Sequence, residues 1–387
     1  MRVGQHHRGR HPPAPLARLL EAAGIEPGGS RPWDLQVHDA RLYGRVLREG
    51  SLGLGEAYMD GWWDCPAPDQ FFARLLSLDA DRELPGLGGL AMRLQALRHR
   101  LWNLQAARRA FQVGEAHYDV GNDVFECMLD RRMIYSCAYW EHATDLDGAQ
   151  QDKLEMICRK LGLRPGMTLL DIGCGWGGLA AYAAERHGAE VTGITVSREQ
   201  MALARQRTQG LPVTLQLMDY RSLRGRFDRI VSVGMFEHVG PKNYDAYFGH
   251  ARRMLHPQGL FLLHTIGCHR PQPATDPWID RHVFPNGKLP AASELAQALE
   301  PHFVLEDWHN FGLDYDRTLM AWHENFERGW PALSRRHDER FHRRWRYYLL
   351  CCAGFFRSRQ GQLWQLVLSP RERSQPYRSV RLRSGAA

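Results

Sequence analysis

From Met167 onward the chain alternates short β-rich runs with helical segments, and this order restricts the possible folds more than any other feature. "MTLLDIG", "EVTGITV", "VTLQLMD", "FDRIVSV" and "GLFLLHTIG" are each bounded by glycine, proline or charge, as strands are. Between them, "GGLAAYAAERHG", "SREQMALARQRTQG" and "NYDAYFGHARRML" read as helices. Strand and helix in repeated succession predict an α/β fold, a parallel sheet with helices on both faces. After "PHFVLEDWHNFG" the sequence predicts a helical insertion from about Tyr315 to Arg359, followed by a last strand in "QLWQLVLS". The first third reads mainly as helices, in "RPWDLQVHDARLYGRVLREG", "SLGLGEAYMDGWWDC", "DQFFARLLSL" and, beyond a loop, "LAMRLQALRHRLWNLQAARRAF".

Two places in this pattern carry chemistry. In "LLDIGCGWGG" a greasy strand ends in Asp171, and Gly173, Gly175, Trp176 and Gly177 lead into a helix. Glycines there let a ligand approach the backbone, and the helix N-terminus offers free N–H groups. D-x-G-x-G-x-G after a first strand is the pattern of S-adenosylmethionine methyltransferases. That cofactor asks for polar residues at the ends of the next two strands. The third strand delivers Asp219, Tyr220 and Arg221; the second ends in Thr195, Val196 and Ser197, with Gln200 following, and so presents hydroxyls rather than an acid. The other place is "VGMFEHVGP", where Glu237 directly follows a strand that reads as buried. A carboxylate in such a position is costly unless it faces a proton or a cation.

The blocks "YSCAYW", "DIGCGWGG", "GITVS", "SVGMFEHVGPKNY", "LLHTIG", "DPWI", "FPNG", "EDWHNFG", "YDRTLMAW" and "CCAGFFRSRQGQLWQ" stand in order, with "SLGLGEAYMDGWW" before them. Over about Arg31 to Leu368 the chain resembles the bacterial cyclopropane-fatty-acyl-phospholipid synthases, with mycolic-acid cyclopropane synthases as more distant relatives. The resemblance implies a Rossmann-like class I S-adenosylmethionine methyltransferase domain, a helical N-terminal domain and a helical insertion before the last strand. It implies addition of the cofactor's methyl(ene) carbon to a cis double bond of a phospholipid acyl chain, through a carbocation deprotonated by bound bicarbonate. The alternative on the same scaffold is a lipid methyltransferase giving methyl-branched or oxygenated chains.

By the same resemblance Cys137, Glu237, His264, Ile266 and Tyr315 surround the bicarbonate, with Cys352 as a further active-site residue, and Tyr135 and Ser136 touch the cofactor. Cys137, His264, Tyr315 and the Ile266 N–H are donors, Glu237 accepts the acid proton of bicarbonate, and His264 is a proton-relay candidate. Alkene methylation requires no covalent thiol, so the adjacent Cys351 and Cys352 also fit a packing role.

A net charge of +7 implies an anionic partner. No RNA-binding motif accompanies it, so the expected partner is a phospholipid bilayer rather than nucleic acid. Arg98, Arg100, Arg108, Arg109 and the stretch "SRRHDERFHRRWRYY" would meet its headgroups. No run approaches the roughly 18 uncharged residues of a membrane span, and "MRVGQHHRGRHPPAP" lacks the apolar core of a signal peptide. The expectation is a cytoplasmic enzyme held peripherally at the inner membrane, a homodimer by resemblance. Eight cysteines without a CxxC pair predict reduced thiols and no metal site. The expected organisation is a disordered basic tail over 1–20, a helical lipid-interaction domain over 21–110, the catalytic domain over 111–370 and a basic tail over 371–387.

Overall fold

The computed structural model describes residues 11–78 and 120–381. The basic helix expected around Arg98 to Arg109, the loop before it and the boundary at 110 lie outside the described residues.

Seven strands form the main sheet: β3 (Thr168–Ile172), β4 (Glu190–Thr195), β5 (Val213–Leu217), β6 (Phe227–Val233), β7 (Leu255–Cys268), β8 (Val304–Asn310) and β9 (Gly361–Ser369). Their spatial order is β5-β4-β3-β6-β7-β9-β8. The first five run parallel, as the alternating pattern predicts, and β9 lies antiparallel between β7 and β8. The sheet is therefore mixed. Strand β8 was not legible as a strand: Glu306, Asp307 and His309 interrupt its apolar residues, and as an edge strand it buries little. Chain order reverses between β3 and β6, and such a switch point opens a crevice at the strands' carboxyl ends.

The N-terminal part holds α1 (Ala14–Ala22), a two-strand ribbon of β1 (Gln36–Val37) and β2 (Trp63–Asp64), α2 (Arg41–Glu49), α3 (Ser51–Met59) and α4 (Pro68–Leu76). Residues 14–20, expected in a disordered tail, belong to α1 because Leu16 and Leu20 find a core to enter. Next come α5 (Asn122–Met128) and α6 (Leu146–Leu161), with α7 (Gly178–His187), α8 (Arg198–Arg207), α9 (Tyr244–Met254), α10 (Pro277–His282) and α11 (Ala292–Leu299) between the strands. The insertion before the last strand is a pair, α12 (Leu313–Leu333) and α13 (Glu339–Arg357).

One hydrophobic cluster runs from Leu20, Tyr58, Trp63 and Phe72 of the N-terminal part to Trp322, Trp345 and Phe356 of this pair. The N-terminal helices thus share a core with α12 and α13. An ion cluster seals the junction: Arg357 forms a two-pronged bond to Asp316 at 2.8 and 2.9 Å and also donates to Asp69 on α4. Arg357→Met would leave two mostly buried carboxylates without a cation, so we expect a loss of about 2–4 kcal/mol, read by denaturant unfolding. An unchanged midpoint would refute the clamp. At the other end, Arg381 and Ser379 bond Asp307 at 2.6 to 3.0 Å, so part of the expected basic tail docks on β8.

Candidate active site

At the carboxyl ends of β3, β4 and β6 lies a cavity of about 210 Å³. Gly173 and Gly175 turn with φ of +85° and +54°, which brings bare backbone to its wall ahead of α7. Tyr135, Ser136, Asp171, Trp176, Thr195, Val196, Gln200, Asp219, Tyr220 and Arg221 also line it. Gly177 and Ser197 do not. Gly177 is the left-handed residue before α7, and the Ser197 hydroxyl caps α8 by accepting the N–H of Gln200 at 3.2 Å. Thr195 donates to the Gln200 amide oxygen at 2.9 Å, which fixes that side chain at the rim.

Sequence reasoning missed Lys153 in this wall. Lys153 and Lys160 lie two turns apart on α6 and both are buried, although "QDKLEMICRK" reads as a solvated helix face. The Lys153 ammonium donates to Ser136 Oγ at 2.8 Å. Burial pulls it down to about 8, against the pull of Asp130, Cys137 and Asp171. Burial likewise pushes Asp171 up to about 7, offset by Lys153. No periodicity in the sequence distinguishes this pair.

Beside the cavity the remaining residues converge. Cys137, Tyr139, Phe311 and Leu363 form a small cluster against which Ile266 and Tyr315 pack. The extended segment carrying Cys137 is tied to α12: Thr318 Oγ1 accepts from the Ala138 N–H at 3.1 Å, and Asp314 accepts from the Trp140 N–H at 2.7 Å. Cys137, Tyr135, Glu237 and Cys352 crowd the Tyr315 phenol, and burial first, then these neighbours, raises its ionisation well above the usual range. Burial does the same to the Cys137 thiol. Both groups hold their protons at neutral pH, and the Cys137 thiol donates to the Ala138 carbonyl oxygen at 3.1 Å. Cys352 is half-buried on α13, against the main cluster.

Glu237 sits in a short 3₁₀ turn after β6. Its Oε1 accepts the Ile266 N–H at 2.7 Å, while buried Oε2 has no hydrogen-bond partner. The Ile266 N–H, expected to face the oxyanion, is thus engaged by the carboxylate. Burial pushes Glu237 up to about 7, against that N–H. His264 is buried, with Nδ1 3.2 Å from the Gln365 amide nitrogen and Nε2 without a partner. Burial, then Lys153 and Lys160, hold it well below the usual histidine range. It is neutral in use, which suits a donor better than the relay expected of it.

The glycine turn and its cavity fit the methyltransferase pattern read in the sequence, and comparison with known proteins decides the family. The model of the mycolic acid cyclopropane synthetase family matches residues 105–366. The chain belongs to that family. It is 55% identical to the cyclopropane-fatty-acyl-phospholipid synthase of Escherichia coli K12, over 91% of each chain. Among solved structures, the cyclopropane synthase MmaA2 from Mycobacterium tuberculosis is 32% identical with a TM-score of 0.64, covering 67% of this chain and 97% of that one. The mycolic acid cyclopropane synthase CmaA1, complexed with SAH and CTAB, matches over the same shares with 32% identity and a TM-score of 0.63. By fold and family the chain is an S-adenosylmethionine-dependent methyltransferase, a cyclopropane fatty acid synthase. Among the described residues no helix is long and apolar enough to cross a membrane, and no cluster could hold a metal ion.

Proposed function

We propose that this chain cyclopropanates cis-unsaturated acyl chains of membrane phospholipids, using S-adenosylmethionine and a bound bicarbonate. The observation that carries this reading is the pairing, beside the glycine-lined cavity, of an anchored carboxyl whose second oxygen is free with a neutral histidine whose Nε2 is free, both buried. When bound, S-adenosylmethionine supplies an electrophilic methyl and bicarbonate a small base. Atoms balance when the alkene gains CH2 and one proton leaves.

The chain's residues do the rest. Asp171, Ser136, Thr195, Gln200 and Asp219 supply polar contacts for the cofactor. Cys137, Tyr315 and His264 donate to the oxyanion, and Glu237 Oε2 accepts its acid proton. Restrained by those bonds, the base is less able to trap the cation than a free carboxylate would be. Tyr315 stacks on Phe356 at 4.5 Å and meets Trp322 edge-on at 6.0 Å, so aromatic faces surround the place where positive charge develops. This wall also excludes water, which would convert the cation to an alcohol. The net charge of +7 supports an anionic bilayer as the surface from which the acyl chain is drawn, and a homodimer is our reading by likeness to the phospholipid synthases.

Purified protein incubated with S-adenosylmethionine and vesicles of cis-unsaturated phospholipid should convert acyl chains to products one CH2 heavier without a double bond, by mass spectrometry. Removal of bicarbonate should slow this by at least about tenfold and its return should restore the rate. Methyl-branched or hydroxylated products would move the activity to a related lipid methyltransferase.

A further inference from the structure

Behind the cage a polar row crosses the sheet. His264 on β7 stands opposite Gln365 on β9, and Gln365 stands opposite His309 on β8. Directly opposed residues present side chains on one face, so the three lie side by side. Gln365 is fully buried. At the far end Lys160 reaches His309 Nδ1 at 3.1 Å and Asp307 at 3.7 Å. The proposed reaction uses neither Gln365, His309 nor Lys160.

Burial pulls Lys160 down to about 7, and Asp307 beside it favours the ammonium, which donates to His309 Nδ1. The Gln365 amide turns its NH2 to His264 Nδ1, 3.2 Å away, while its buried Oε1 meets no hydrogen-bond partner. We propose that Gln365 is a positioning residue that fixes His264 as the Nε2–H tautomer, so that its unpartnered Nε2 is a hydrogen-bond donor into the cage. This rests on the reading of the cage given above. It assigns the donor a cause outside the residues that touch the reacting atoms. The charged and titratable groups acting on the His264 ring are Lys153 and Lys160 from α6, and both oppose a second proton on it. His264 is thereby a fixed donor, and the proton from the substrate falls to the bicarbonate and Glu237.

The test uses the full chain with nitrogen-15 histidine, the His264 resonances being assigned by their absence in His264→Gln. In the wild type, Nδ1 should show the shift of an unprotonated ring nitrogen and Nε2 that of a protonated one. In Gln365→Glu a carboxylate takes the place of the donor, so the proton should move to Nδ1. Turnover should fall on the order of 10²-fold, as for other residues that orient an active-site histidine, while S-adenosylhomocysteine binding stays within about twofold. Gln365→Met, which offers neither donor nor acceptor, should give a mixed tautomer and an intermediate rate, and it serves if the glutamate variant does not fold. A wild-type proton on Nδ1, or a tautomer unmoved in the variants, overturns the proposal. Should the wild type form no cyclopropane while its histidine carries the expected tautomer, the functional reading fails and the positioning role stands.

Discussion

Glu237→Gln is expected to lower turnover on the order of 10³-fold while making the fold more stable. The carboxyl is pushed from its ordinary 4.5 up to about 7, by burial. Between those two values the folded protein keeps a proton that the unfolded chain has released. Its favourable contribution is therefore complete below 4.5 and is lost as pH rises to about 7, a total of up to about 3 kcal/mol. Glutamine has no proton to lose. The variant should melt higher than the wild type at pH 8, and the difference should shrink toward pH 5. Catalysis runs the other way, because only the carboxylate can accept a proton. Wild-type kcat should rise with pH through about 7, and the small residual rate of the variant should lack that limb. Calorimetry and a pH–rate profile read the two effects separately. A variant with native turnover would exclude Glu237 from the chemistry, and one that melts lower at pH 8 would contradict its burial as a carboxylate.

Gly178→Val is expected to weaken S-adenosylhomocysteine binding about 10- to 100-fold, the equivalent of 1–3 kcal/mol of overpacking. A Cβ at this position would stand 2.5 Å from the carbonyl oxygen of Arg132 and 2.4 Å from Ile134 Cδ1. The carbonyl belongs to the backbone and cannot swing aside, so the segment leading to Tyr135 and Ser136 must move off α7. That segment lines the cavity. Gly175→Ala is the contrasting case. Its Cβ would meet no protein atom within 4 Å, so the fold itself loses only the cost of its φ of +54°, about 1 kcal/mol. Denaturant unfolding should therefore show the smaller loss for Gly175→Ala, and titration calorimetry reads the cofactor affinity of Gly178→Val against the wild type. Wild-type affinity in Gly178→Val would mean that the close approach at Gly178 has no bearing on the cofactor.

The α/β order, the glycine turn and the placing of Glu237 after a buried strand were legible because each is local. A run such as "TLLDI" is buried on both faces only in a central parallel strand, and glycines at positive φ announce a turn wherever they stand. The helical pair after β8 was legible too, as one insertion. Strand β8 was not, since its charged residues are satisfied by partners far along the chain, Lys160 and Arg381 at Asp307. Lys153 and Lys160 were invisible for the same reason. A buried lysine differs from an exposed one only in what surrounds it, and here the surroundings come from separate elements: Ser136 and Asp171 for the first, His309 and Asp307 for the second.

By itself the sequence determined the type of fold, the family and the chemical kinds of side chain around the site, because strand pattern, glycine spacing and ordered motif blocks are written along one dimension. The tertiary structure alone decided their states: Glu237 raised toward neutrality, His264 held neutral beside Gln365, the Ile266 N–H taken by a carboxylate, two lysines buried. Protonation and hydrogen-bond direction depend on desolvation and on neighbours within a few ångströms, and those neighbours meet only when β7, β9, β8 and α6 pack together.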